Sequence, residues 1–274
     1  MESLKLPMGH RECLWSPVAD LITEEGFRTL KPGESPFILK PEHLKPWPEF
    51  SKEVKDLLEP YCGKYQPFRP RVPDEVFGTA NELGVQGRFV NNALHPVGEI
   101  CNLLKLGVSF GDAQWGRNRL LIGAKKGEKR KQGAPAGDNL VPDLVVVETR
   151  THAIKAVAEV KTFWAFAPKR DQSWHAFIVH KIGQLARYMD DHHTRYGIFT
   201  VYEYTWFVKR IDNLQFAMSQ PISARAQSSA TSVSLRECIF ATVLRGLDDK
   251  DNFFPVRYGS KLVSYSILEI PITS

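Results

Sequence analysis

Two short runs of β-branched and apolar residues stand out at the centre of the chain: Val141-Pro142-Asp143-Leu144-Val145-Val146-Val147-Glu148 and Ala156-Val157-Ala158-Glu159-Val160-Lys161-Thr162. Gly137-Asp138-Asn139 precedes the first run, and Arg150-Thr151-His152 separates the two. Runs of this length bounded by turn residues predict adjacent strands of a hairpin, buried on at least one face. The period then changes. From His175 to His192, apolar Ile178, Ile182, Leu185 and Met189 recur at helical spacing, which predicts a helix. Tyr196 to Lys209 is rich in β-formers and predicts one strand with a bend near Glu203, and Leu214 to Ile222 predicts another in the same sheet. Ala224 to Ser234 is a small, polar loop. Ser234-Leu235-Arg236-Glu237 is a capping box that opens a helix through Leu247, and Val256 to Ile270 adds edge strands.

Upstream, residues 1 to 73 are punctuated by prolines. Short helices are predicted at Val18 to Leu30 and Pro48 to Leu58, with Trp15 and Pro46-Trp47-Pro48 as apolar anchors. A longer helix begins near Thr79-Ala80-Asn81-Glu82, where Thr79 and Glu82 have capping-box spacing. At 100° per residue, Glu82, Gln86, Phe89, Ala93 and Val97 share one stripe, so Glu82 extends a face that is otherwise apolar. Pro96 must kink this helix or start a second one. Leu120-Leu121-Ile122 predicts the first core strand. The sum is an α/β fold: a mixed central sheet flanked by helices. It is one domain over 79–274, with a core at about 80–210, a C-terminal extension at 211–274, and residues 1–78 as a proline-rich arm packed on the core.

The polar residues that interrupt the central hairpin carry the chemistry. Side chains alternate along a strand, so Glu159 and Lys161 point one way while Val160 points into the core. If the two strands pair, Asp143 lies beside Glu159. Two carboxylates that close repel unless a cation sits between them, and hard oxygens suit Mg²⁺ or Mn²⁺. A neighbouring lysine can hold a water or stabilise charge on a phosphate. Glu-x-Lys alone is also what a solvated strand face looks like. His180, Gln184, Arg187 and Tyr188 fall together on the predicted helix, on a face turned toward this site or a phosphate. Asp190-Asp191-His192-His193 is read as a helix end with histidines complementing the dipole, not as a metal cluster.

Pro142-Asp143 followed by Glu159-Val160-Lys161 resembles the signature of the PD-(D/E)XK nuclease superfamily. Gln184-Leu185-Ala186-Arg187-Tyr188 is similar to the Q-x-x-x-Y motif of its RecB-like and lambda-exonuclease-like branches, and the order strand, strand, helix, strand is that of the family core. The resemblance spans about Ala80 to Arg210, and its texture is closest to fungal PD-(D/E)XK nuclease-like proteins. It implies a restriction-endonuclease-like sheet and a metal-dependent nuclease, with DNA favoured over RNA. Asp143 and Glu159 would bind Mg²⁺ or Mn²⁺, with the Val160 carbonyl as a further ligand. Lys161 would orient and help activate the attacking water. Gln184 and Tyr188 would position Lys161 or the scissile phosphate, and Glu82 would supply an outer or second metal contact. Glu99 is the competing helix-borne acid.

Charge changes the picture modestly. The net charge is +5 and the sequence pI about 8.9, compatible with an anionic partner. Lys125, Lys126, Lys129, Arg130 and Lys131 form a basic run in a glycine-rich loop leading to Asp143, a candidate phosphate-backbone contact, a solvated loop or a localisation signal. Cys13, Cys62, Cys101 and Cys238 are scattered without a Cys-x-x-Cys pair, so a zinc ribbon is not expected. The N-terminus lacks a signal-peptide core, and no apolar run is long enough to span a membrane, which predicts a cytoplasmic or nuclear protein. Two other classes fit the same residues: a nucleic-acid-binding module that does not cut, and a protein-interaction or effector scaffold.

Overall fold

The computed structural model describes residues 8–29, 39–62, 67–68, 75–112, 114–115, 141–168 and 170–248. In chain order its elements are β1 (Met8–Gly9), α1 (His10–Trp15), β2 (Leu44–Pro46), α2 (Phe50–Cys62), β3 (Pro67–Phe68), α3 (Glu82–Phe89), α4 (His95–Leu103), β4 (Val108–Gly111), β5 (Leu144–Glu148), β6 (Ile154–Val160), α5 (Trp174–Asp191), β7 (Tyr196–Thr200), β8 (Tyr204–Arg210), β9 (Phe216–Met218), β10 (Ile222–Ser223) and α6 (Leu235–Leu247). The described residues form an α/β fold around one mixed, eight-stranded sheet in the order β2-β9-β8-β7-β6-β5-β4, with β10 also paired to β8. β1 and β3 make a separate two-stranded pair.

β5 and β6 are antiparallel neighbours, as the two apolar runs predict, with Leu144 opposite Ala158 and Val146 opposite Ala156. β6 and β7 are parallel, so the chain must cross over between them, and α5 is that crossover. Alternation sorts the sheet into two apolar layers. Leu144, Val146, Ala156, Ala158, Val160 and Ile198 pack with residues of α1, α2, α3, α4 and α6, whereas Val145, Val147, Val157, Phe199 and Val208 pack against α5. With both faces covered, β6 reads as a nearly unbroken apolar run.

Several elements differ from the sequence reading, each for a local reason. Tyr196 to Lys209 is not one bent strand but the β7–β8 hairpin. Its turn carries no glycine, proline or asparagine. Tyr202 takes a left-handed φ of 71°. It is held there by its backbone N–H on Thr200 Oγ1 at 3.0 Å and by its hydroxyl on the Ala19 carbonyl at 2.6 Å. Leu214 to Ile222 holds the short strands β9 and β10, both paired to β8. Val18 to Thr29, the described part of the predicted first helix, is not helical. Its backbone bonds elsewhere, with Val18 N–H donating to Ala224, Ile22 accepting from Thr79 and Thr29 donating to Ala80 at 2.7–2.9 Å. Only Glu25–Phe27 forms a 3₁₀ turn. Helix α1 and strand β4 were not foreseen. Leu120-Leu121-Ile122, the basic run 125–131 and Val256 to Ile270 lie outside the described residues.

Pro96 acts as its chemistry requires. It cannot donate to the Asn92 carbonyl four residues back. The chain widens into a π-helical turn over Val90–Leu94, and α4 then starts with Pro96 in its first turn. The freed Asn92 carbonyl accepts from buried Arg236 Nε at 3.2 Å and Nη2 at 2.8 Å. The predicted Ser234–Glu237 capping box is present in full at the start of α6. No helix among the described residues is long and apolar enough to cross a membrane.

Candidate functional site

The β5–β6 ladder ends where its polar residues begin. Extending the register one step sets Asp143 opposite Glu159. There the Asp143 side chain replaces a backbone carbonyl: its Oδ2 accepts from the Val160 N–H at 2.7 Å. The Asp143 backbone carbonyl accepts from Gln86 Nε2 of α3 at 2.9 Å. Asp143 and Glu159 therefore share a face, the one that α5 covers, while Val160 is fully buried in the opposite layer.

Glu159 is 1 % exposed. Its Oε1 lies 2.5 Å from Lys161 Nζ, a close ion pair. Lys161 Nζ also reaches Glu82 Oε1 at 3.2 Å. These contacts set the ionisation. Burial pushes the Glu159 carboxyl up to about 8, the nearby Asp143 charge adds to the rise, and Lys161 opposes it. Asp143 is also raised, by burial first, against the Val160 hydrogen bond and Lys161. Burial alone would lower the Lys161 ammonium, but Glu159, Glu82 and Asp143 outweigh it and its pKa rises. Lys161 thus stays charged, and the two carboxyl groups compete for one proton.

Helix α5 presents Gln184 and Tyr188 to this pair. Gln184 Nε2 donates to the Tyr188 hydroxyl at 2.5 Å. Tyr188 is 1 % exposed, and burial raises its phenol, with the Glu159 charge adding. Arg187 forms an i,i+4 pair with Asp191 at 2.9 Å. His192 and His193 close the helix, with backbone N–H groups bonded to Tyr188 and Asp190, and His193 takes a left-handed φ of 52°. Asp190 instead pairs with buried Arg210 at 2.9 Å.

One feature at α3 corrects the sequence reading. Thr79 and Glu82 make no capping box. Asn81 is the N-cap, its side chain accepting from Gly84 N–H at 2.8 Å, which leaves the Glu82 carboxylate to Lys161. Glu82 lies near enough for its charge to act on both Asp143 and Glu159, and no group of three His, Cys, Asp or Glu among the described residues is arranged to hold a metal. The rest of the stripe behaves as its spacing predicts, with Phe89, Ala93 and Val97 fully buried. Glu99 lies away from the site, near enough to Cys13 for its charge to act on that thiol.

Beside the carboxylates a small cleft is lined by Glu82, Lys161, Thr162, Ala165, Phe166 and Lys181. The aromatics after β6 pack: the Phe166 ring lies 4.8 Å from Phe177 and 5.5 Å from Trp206. Gln86 and Lys181 are the residues of this neighbourhood that sequence reasoning missed. Each had a faint signal. Gln86 shares the Glu82 stripe, and Lys181 precedes Gln184 by three residues and Tyr188 by seven, a spacing that keeps all three on one side of a helix. No family model, curated protein or solved structure matches the chain.

Proposed function

We propose that the protein is a metal-dependent nuclease that hydrolyses phosphodiester bonds of nucleic acid, with DNA favoured, on a restriction-endonuclease-like sheet of the PD-(D/E)XK type. One observation carries the reading: Asp143, Glu159 and Lys161 gather on one face at the end of the β5–β6 ladder, with Gln184 and Tyr188 facing them from α5.

A divalent cation fits this pair on the chemistry of its donors. Both are hard carboxylates in mutual repulsion, and the buried Glu159 carboxyl stays well above its usual range even with Lys161 beside it. Mg²⁺ commonly takes one or two carboxylates and keeps several waters. Asp143 and Glu159 would hold it. The Val160 carbonyl would assist, because N–H and C=O of one strand residue point the same way and the Val160 N–H faces Asp143. Bound there, the ion would supply Lewis acidity and a more acidic water.

The remaining work falls to the chain. Lys161 holds its ammonium beside Glu159, where it orients the attacking water and offsets charge developing on the phosphate. Glu82 fixes Lys161 from the far side. Tyr188, tied to Gln184, keeps a hydroxyl against the carboxylates and closes that side to water. The test is incubation of the purified protein with single- and double-stranded DNA and RNA in Mg²⁺, Mn²⁺ or EDTA, beside Asp143→Asn. Metal-dependent cleavage lost in the variant supports the reading. Binding without turnover in any metal selects a nucleic-acid-binding module instead, and neither binding nor turnover selects a protein-interaction scaffold.

A further inference from the structure

We propose that Gln86 is a positioning residue: from α3 it fixes the Asp143 backbone, so that the Asp143 carboxylate is held ready for a divalent cation. The cation rests on the reading above, whereas the hold on Asp143 does not require one.

Asp143 stands just beyond regular structure. The β5–β6 ladder ends at Leu144 and Ala158, and Pro142 has no N–H with which to extend it. The ladder therefore does not set the Asp143 backbone. Its side chain is tied once, by Oδ2 on the Val160 N–H at 2.7 Å. That single tether leaves the main chain free to swing and the second carboxylate oxygen unaimed. Gln86 supplies another, with Nε2 donating to the Asp143 carbonyl at 2.9 Å. One fixed point on the main chain and one on the side chain leave the carboxylate a single setting beside Glu159.

The second tether comes from a seated element. Val85 and Phe89, which flank Gln86 in α3, are fully buried, and the Asn81 cap closes the first turn of the helix. Glu82 lies one turn before Gln86 on the same side of α3 and meets Lys161 Nζ at 3.2 Å. Two side chains about 6 Å apart along one helix axis thus reach two parts of the site, Asp143 before β5 and Lys161 after β6. α3 sets the spacing between the acid and the ammonium. A partner that orients a metal ligand is commonly worth about tenfold or more in metal affinity without touching the metal.

The experiment uses the full chain with MnCl₂ and no nucleic acid. Mn²⁺ affinity is read from the paramagnetic resonance of the free ion, and amide hydrogen exchange along β6 by NMR, for wild type, Gln86→Met, Gln86→Asn and Asn81→Ala. Met keeps the shape of Gln86 but cannot donate, and Asn keeps the amide but falls one methylene short. Both should weaken Mn²⁺ binding about tenfold. Both should also speed exchange of the Val160 amide about fivefold, with the Val157 and Ala158 amides unmoved. Asn81→Ala loosens the same helix without touching Asp143, so it should leave affinity near wild type and not single out Val160. Wild type that binds Mn²⁺, with both Gln86 variants equal to it, overturns the proposal and leaves the hydrolytic reading standing. A loss of affinity in which the Val157, Ala158 and Val160 amides all speed up together marks general loosening and also overturns it. Wild type that binds no Mn²⁺ removes the metal reading. The hold on Asp143 is then judged by the amides: faster exchange at Val160 alone sustains it, and an unchanged rate overturns it as well.

Discussion

Replacing Glu159 by glutamine should make the protein more stable at alkaline pH. The Glu159 carboxyl is raised from an ordinary 4.5 to about 8 in the folded chain, by burial and then by Asp143. A folded-state value above the unfolded one means that the folded chain keeps a proton which the unfolded chain has released. Stability from this group is therefore fully present below about pH 4.5 and falls as pH rises, until it is gone above about pH 8. Within that window each pH unit removes up to about 1.4 kcal/mol, so between pH 5 and 8 the loss is at most about 4 kcal/mol. Local relaxation and water penetration reduce this to roughly 2–3 kcal/mol. On a chain of this size, about 1 kcal/mol moves Tm by 2–4 °C.

Thermal melts in EDTA should thus show wild type losing roughly 5–10 °C more than Glu159→Gln between pH 5 and 8. The difference between the two curves matters, because other groups titrate in both proteins. Saturating Mg²⁺ at pH 8 should restore wild type by roughly 3 kcal/mol at a hundredfold excess over Kd and leave the variant almost unmoved. Parallel pH curves in EDTA would refute the account of Glu159 as a buried, charge-stressed acid. Parallel responses to Mg²⁺ would separately remove it from the metal site.

Lys161→Ala should abolish cleavage while the chain still folds and binds divalent cation; equal cleavage by repurified variant and wild type defeats the role given to Lys161. Asn81→Ala should cost about 1 kcal/mol in urea melts, because Asn81 is the cap, whereas Glu82→Ala should change stability by less than that and instead reduce turnover. The reverse ranking would return the cap to Glu82. Arg236→Met strips hydrogen bonds from the Asn92, Cys13 and Ser16 carbonyls and should cost roughly 3–5 kcal/mol in the same melts; a loss below about 1 kcal/mol would mean that the π-helical turn needs no such support.

What could be read from the chain follows from where the signals are local. β5 and β6 were legible because apolar alternation and turn residues bound them, and Asp143, Glu159 and Lys161 were legible because each breaks an apolar pattern. The cap of α6 is a four-residue signal and was read correctly. The cap of α3 was not, since Thr79 and Asn81 are both good capping residues. The choice is tertiary: Thr29 donates to the Ala80 carbonyl at 2.9 Å and holds the chain extended past Thr79. The β7–β8 turn was hidden for a similar reason, as Tyr202 is fixed by partners far off in sequence. Gln86 and Lys181 give only a faint signal, because polar residues on helix surfaces are ordinary. Only the fold reveals which of them a cleft collects.

The packing beneath α5 explains why the polar cluster is held where it is. β6 and β7 run parallel, and the carboxyl ends of parallel strands are where an open sheet leaves room for a ligand. Glu159 and Lys161 lie at that end of β6. Gly197 on β7 lets the crossover helix approach: a Cβ there would fall 2.7 Å from Met189 Sδ and 3.1 Å from Leu185. Met189 and Leu185 flank Gln184 and Tyr188 in sequence. The contact that seats the helix on the sheet therefore also sets how closely the Tyr188 hydroxyl approaches the carboxylates. Pulling α5 away would admit water to Glu159, lower its pKa and ease the repulsion that favours a cation. The electrostatics of the site are in this sense a consequence of apolar packing one residue away.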